Sequence, residues 1–151
     1  MANNRNFNGT LINQSPTIVE QAGAAIADCR NRIMVYDTEG NVILATDGTK
    51  PLLGVALIEA GYNDISGVES GKVAKGDDVD IQIKDIGYIV AGAAIAKGAE
   101  VTAGANGLAA TAAEGDYVLG IALNKVSKDG YCRVQICKYQ KASAESDTNT
   151  P

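Results

Sequence analysis

The hexapeptide AGAAIA occurs twice, at Ala22 to Ala27 and again at Ala91 to Ala96, and each copy is followed by the same landmarks in the same order. After the first come Gly40, the pair Ala45-Thr46, LGVAL at Leu53 to Leu57 and IQIK from Ile81. After the second come Gly107, the pair Ala110-Thr111, LGIAL at Leu119 to Leu123 and VQIC from Val134. Alanine and glycine are abundant, so one matching hexapeptide is weak evidence. A shared order of landmarks is stronger, and it reads as a tandem duplication of one module.

The module reads as β. Alanine favours helix, but six residues running into Asp28 or Lys97-Gly98 are too few to hold a helix alone. Both copies of AGAAIA are therefore expected to be a strand end and a tight turn, where small side chains let two backbones approach. A short run at Thr17 to Glu20 leads into the first copy. Ile33 to Tyr36, the turn Asp37 to Asn41 and Val42 to Thr46 read as a hairpin with glycine at the turn. Its counterpart is Glu100 to Ala103, the turn at Ala105-Asn106-Gly107, and Leu108 to Thr111, where Asn-Gly is a strong hairpin signal. LGVAL and LGIAL are short continuous apolar runs, expected as buried strands whose glycine marks a bulge or a close crossing of backbones.

The copies differ after LGVAL. Ile58 to Asp78 precede IQIK, whereas only Asn124 to Gly130 follow LGIAL before the closing strand. A long connection on a compact module is where function or an intersubunit contact tends to sit. The expected organisation is an N-terminal arm over 1–16, a β domain over 17–139 with copies at about 17–84 and 88–139, and a disordered tail over 140–151. Only Asp85 to Ile89 separate the copies, too few for a flexible linker. Whether they form one barrel or two stays open at this stage.

Composition excludes several functions. The chain has 151 residues, a net charge of -5, no tryptophan, one phenylalanine and no histidine. The acidic balance argues against a nucleic-acid surface, and the pair Arg30 and Arg32 reads as a solvated face. Three cysteines, Cys29, Cys132 and Cys137, do not make a secreted disulfide framework. Cys132 and Cys137 fall on opposite faces of one strand. No apolar run is long enough to span a bilayer, and MANNRNFNG lacks a signal-peptide core, so synthesis in a cytosol and retention there, or in something assembled there, are expected.

Catalytic chemistry finds no footing. Without histidine there is no Ser-His-Asp or Cys-His arrangement and no imidazole metal site. Gly67 to Lys72 has the look of a phosphate loop, but Ser66 stands at the first glycine position and Val73 follows the lysine. Asp37, Glu39 and Asn41, like Asp77, Asp78 and Asp80, offer oxygen ligands but lack the twelve-residue calcium loop, and they read as turn formers. Lipoyl and biotinyl carriers would need a lysine at a hairpin tip, flanked by methionines in the biotinyl case. Met1 and Met34 flank none. No catalytic or metal residue and no cofactor is expected.

Ala91 to Cys137 resembles the small cement or head-decoration proteins of tailed bacteriophages. The shared pattern is a small-residue run ending in a turn glycine, a valine, an Asn-Gly turn, an Ala-Thr pair, a Gly-Ile-Ala-Leu strand and a final Val-Gln-Ile strand. Ala22 to Lys84 resembles it more loosely, with Asp28-Cys29 in place of Lys97-Gly98 and with the long insertion.

The resemblance implies an all-β, jelly-roll-like or barrel protein that assembles as a trimer on the outer surface of a capsid. Its partners would be the major capsid protein and its own copies, with no nucleic acid, membrane or small-molecule substrate. The arm, with Asn3, Asn4, Arg5, Asn6, Phe7, Thr10, Leu11 and Ile12, is the expected shell contact, adding an extended segment to a capsid strand edge. Tyr62, Asn63, Ile65 and Val68 in the insertion are the expected trimer or neighbour contact. The alternative is a virion surface receptor-binding or glycan-binding protein, or a tail or baseplate module. The shortage of aromatics disfavours sugar stacking.

Overall fold

The computed structural model describes residues 15–144. Ten strands follow one another: β1 (Thr17–Gln21), β2 (Ile33–Tyr36), β3 (Val42–Leu44), β4 (Gly54–Ala56) and β5 (Asp78–Gln82), then β6 (Ile86–Val90), β7 (Glu100–Ala103), β8 (Ala109–Thr111), β9 (Tyr117–Ala122) and β10 (Tyr131–Gln140). A 3-10 turn, Ala105–Gly107, carries the Asn-Gly pair of the second hairpin. The protein is all-β, as the module pattern predicts.

The duplication is carried strand for strand into the topology. One antiparallel sheet runs β1-β5-β4-β2-β3 and the other β6-β10-β9-β7-β8, the same order displaced by five strands. Met34 pairs with Gly54 and Val101 with Gly120, while Ala56 pairs with Ile81 and Ala122 with Val134. These registers superpose the landmarks with one correction. Val42 and Ala109 hold the same place, so Ala45 corresponds to Ala112, not to Ala110. The two Ala-Thr pairs are offset by two residues, a shift that keeps the face and so leaves the hydrophobic pattern unchanged.

AGAAIA closes each sheet on itself. Ala22 bridges Val42 and Ala91 bridges Ala109 in parallel, and Ile26 and Ile95 bridge Val73 and Val126. The amides of Gly23 and Gly92 donate to the carbonyls of Val42 and Ala109 at 2.8 and 2.9 Å. A Cβ on Gly23 would collide with the Asp37 carboxylate and lie 3.1 Å from the Asn41 Cβ, so the small side chains are there for close approach. Each copy thus forms its own five-stranded ring, and the molecule holds two.

The rings share a core. Ala22, Ile26, Met34, Val42, Ala56, Val73, Val79 and Ile81 fill the first. Ala91, Ile95, Val101, Ala109, Ala122, Cys132 and Val134 fill the second, and their cluster continues into Ile33, Val35 and Val55 of copy one. Strand β2 is buried on both faces, Met34 inward and Ile33 and Val35 toward copy two. Backbone hydrogen bonds stitch the contact. Val90 donates to Asn31, Gly107 to Ala45 and Tyr117 to Gly48, at 3.0, 2.7 and 2.8 Å. Five residues expected as a spacer, Asp85 to Ile89, lie mostly in β6, so the turn between rings is tighter than the sequence suggests.

Candidate functional site

The residues outside this scaffold were expected to carry binding. Asn3 to Ile12, the expected shell contact, lie outside the described residues. The insertion is described in full, and it is shorter than expected. Val73 corresponds to Val126 through the Ile26 and Ile95 bridges, so residues 58–72 stand where copy two has only Asn124 and Lys125. Beyond them Gly76 and Asp129 make the same left-handed corner, at φ 89° and 67°, their amides donating to Ala22 and Ala91.

The insertion is a held loop. The amide of Tyr62 donates to Lys72 O at 2.9 Å and that of Gly71 to Tyr62 O at 2.7 Å, closing its base, and the amide of Cys29 donates to Gly71 O at 2.9 Å. Arg30 grips Asp28 through Nε and Nη2, each at 2.9 Å, beside Gly71, and this bond holds the Asp28 carboxyl below the usual range. At the tip, Asp64 bonds the Ser66 hydroxyl and amide, and its own amide donates to Ser70 Oγ at 3.1 Å. Asp64 is correspondingly held below the usual carboxylate range by the Ser66 hydroxyl and amide. Gly67 to Lys72, which fails the phosphate-loop pattern in sequence, thus belongs to a serine- and aspartate-tied turn.

The loop brings its predicted residues outward together. Tyr62, Ile65 and Val68 are 58%, 107% and 85% exposed, and Asn63 reaches back to Glu59 O at 3.4 Å. Apolar side chains held out by a tied loop are what an adhesive surface requires.

A second surface is absent from the sequence reading. Ile58, at the root of the insertion, meets Tyr88 of β6, Tyr131 of β10 and Asn31 around a shallow hollow of about 260 Å³. Asn31 is buried, adopts φ 54° and donates from Nδ2 to Tyr88 O at 2.9 Å, fixing the floor. Strand phase signals only Tyr131, an outward residue of the alternating YCRVQ, whereas IGYIV, apolar in both phases, conceals the outward Tyr88.

The remaining candidates are structural. Asp37 Oδ1 accepts from the amides of Glu39 and Asn41 at 2.8 and 2.9 Å, and Asp77 Oδ2 from Ala74 at 3.0 Å, both closing turns. Among the described residues no group of three or more His, Cys, Asp or Glu is placed to hold a metal ion, and no helix is long and apolar enough to cross a membrane. Cys29 and Cys132 are buried, Cys137 is exposed, and all three are free. As the period-2 pattern required, Cys132 and Cys137 face opposite ways.

No protein-family model and no curated protein matches the chain. Among solved structures, the fold is similar to that of the N base of head fiber gp8.5 in bacteriophage phi29, at 18% sequence identity and a TM-score of 0.56. The likeness covers 80% of this chain and 92% of that one, so the two-ring scaffold rather than a single ring is what they have in common.

Proposed function

We propose that the chain is a capsid decoration protein, which binds the outer surface of an assembled phage head as an oligomer and stabilises the shell without catalysis. The observation that carries this reading is the fold likeness to a head-fiber base over nearly all of that domain. The module pattern of Ala91 to Cys137 points the same way independently.

The mechanism is mass action. A protein that binds only the assembled, expanded shell shifts the equilibrium toward that shell. Symmetry repeats each weak contact, and the avidity exceeds that of any single one. In this reading Phe7, Leu11 and Ile12 of the arm engage the major capsid protein, and Tyr62, Ile65 and Val68 engage a neighbour.

The test is co-sedimentation of the purified chain with expanded capsids and with precursor shells. The expected result is a trimer that pellets with expanded capsids only. A monomer that binds neither overturns the proposal. Deleting residues 2–12 is expected to abolish pelleting while leaving the oligomer intact, and unchanged pelleting removes the arm from the mechanism.

A further inference from the structure

The duplication supplies an internal control for surface chemistry. Strands β1 and β5 of copy one correspond to β6 and β10 of copy two, and both pairs turn alternate residues outward. The outward set in copy one is Thr17, Val19 and Gln21 with Asp78 and Asp80. At the same places copy two carries Ile86, Tyr88 and Val90 with Tyr131 and Arg133. Two aspartates on one face are thus matched by a tyrosine and an arginine on the other.

Both faces are unspent within the chain. Among the described residues the ion pairs are Arg30 with Asp28, Lys72 with Glu69 and Lys141 with Glu100, so Asp78, Asp80 and Arg133 take part in none. Tyr88 and Tyr131 are 49% and 52% exposed. They stand diagonally across the strand pair, because Tyr131 is opposite Val90 and Tyr88 is opposite Arg133. Ile58 extends the apolar area from copy one. Exposed tyrosines beside an arginine are the composition of an interface centre, whereas the scaffold itself needs neither there.

We infer that the β6–β10 face of one copy docks on the β1–β5 face of a second copy of this chain, with Arg133 meeting Asp80 and Asp78. The two surfaces share a backbone shape because they are the same module, and they carry opposite charge. The contact uses different patches on the two partners, so it is head-to-tail, and it closes into a ring where the rotation permits. The inference deepens the decoration reading, since it names the surfaces through which the proposed oligomer forms.

Sedimentation velocity of the full chain over a concentration series tests it. Arg133→Asp and Asp80→Arg are each expected to weaken self-association at least roughly tenfold, and both substitutions in one chain to restore it in part, because each interface then carries the reversed pair while Asp78 keeps its charge beside it. Tyr88→Ser with Tyr131→Ser is expected to leave a monomer with an unchanged far-ultraviolet dichroism spectrum. A wild-type monomer at every concentration, single variants that associate normally, or a double charge swap that fails to restore association would each overturn it. So would variants that keep the oligomer but lose co-sedimentation with capsids, for then the tyrosine face meets the shell. An oligomer built through these faces that pellets with no capsid leaves this contact standing and overturns the decoration function instead.

Discussion

The amide of Gly107, at the tip of the second hairpin, donates to the carbonyl of Ala45 in the first ring at 2.7 Å, and this bond presses the hairpin tip onto β2. A Cβ on Gly107 would lie 2.6 Å from Ile33 O and 3.0 Å from Ile33 N. Its φ of 67° adds the cost of a left-handed conformation. The docking of the two rings therefore depends on the absence of a side chain here.

Gly107→Ala is expected to separate the rings before it unfolds either. The left-handed strain alone costs about 1–2 kcal/mol, and the backbone collision must be relieved by moving the tip away from β2. That movement uncovers Ile33, Val35 and Val55. Urea unfolding followed by backbone dichroism should show a lower midpoint and a transition broken into two. A single transition at the wild-type midpoint refutes the wedge.

The paired glycines of LGVAL and LGIAL should behave alike and unlike turn glycines. A Cβ on Gly54 would collide with the Gln82 carbonyl, and one on Gly120 with the Gln135 carbonyl, the same contact in each ring. Relief requires opening the adjoining strand pair, so Gly54→Ala and Gly120→Ala are each expected to cost about 3 kcal/mol or more. Gly40, with φ 84° and nothing within 4 Å of the added atom, is the control. Gly40→Ala should lose only about 1–2 kcal/mol. Equal losses at Gly40 and Gly54 in chemical denaturation would show that conformation rather than crowding selects glycine in these strands.

Thiol labelling checks the strand phase of β10. Burial raises the Cys132 thiol, and burial with the Asp28 charge pushes Cys29 up to about 11, so neither supplies thiolate at neutral pH. Cys137 lies on the open face. Native protein should react with a thiol reagent at Cys137 alone, and at Cys29 and Cys132 only after denaturant is added. Fast labelling of Cys132, identified by peptide mass, would invert the register assigned to the strand.

How far the fold could be read in the chain follows from which positions alternate. Strands β2 and β7 have the bounds that their apolar runs suggest, because polar turns flank both. Strand β6 has the look of a spacer in sequence for a physical reason. Inward Gly87 and Ile89 and outward Ile86, Tyr88 and Val90 are nearly all apolar, so no period of two is visible. The same blurring hid the tyrosine face. The packing of one ring on the other did leave a trace: IMVY in β2 is apolar in both phases, as a strand buried on both sides must be, whereas EVTA in β7 places Glu100 and Thr102 in the matching phase, with Thr102 buried and donating its hydroxyl to Tyr117 O at 2.7 Å.

Glu100 of β7 gives the second ring a signature in pH. Tyr139 donates its hydroxyl to Glu100 Oε2 at 2.6 Å, and Lys141 Nζ lies 3.0 Å from Oε1. The Tyr139 bond, followed by Lys141, holds the Glu100 carboxyl below its ordinary value, and the same bond pushes Tyr139 up to about 12. The signs are opposite. Glu100 has a depressed folded value, so its contribution is present above the unfolded carboxyl range and is lost as pH falls through the folded one. Tyr139 has a raised value, so its contribution is complete below the ordinary value of 10.0 and disappears as pH climbs toward about 12. Tyrosinate absorbance should show Tyr139 among the last to ionise, a step missing from Tyr139→Phe and returned toward 10.0 by Glu100→Gln. Tyr36 is raised by its own bond to Glu20 at 2.7 Å and must be assigned separately with Glu20→Gln. If Glu100→Gln left the tyrosinate titration unchanged, the bond between β7 and the end of β10 would not persist in solution, and with it would go the account of how the second ring is finished.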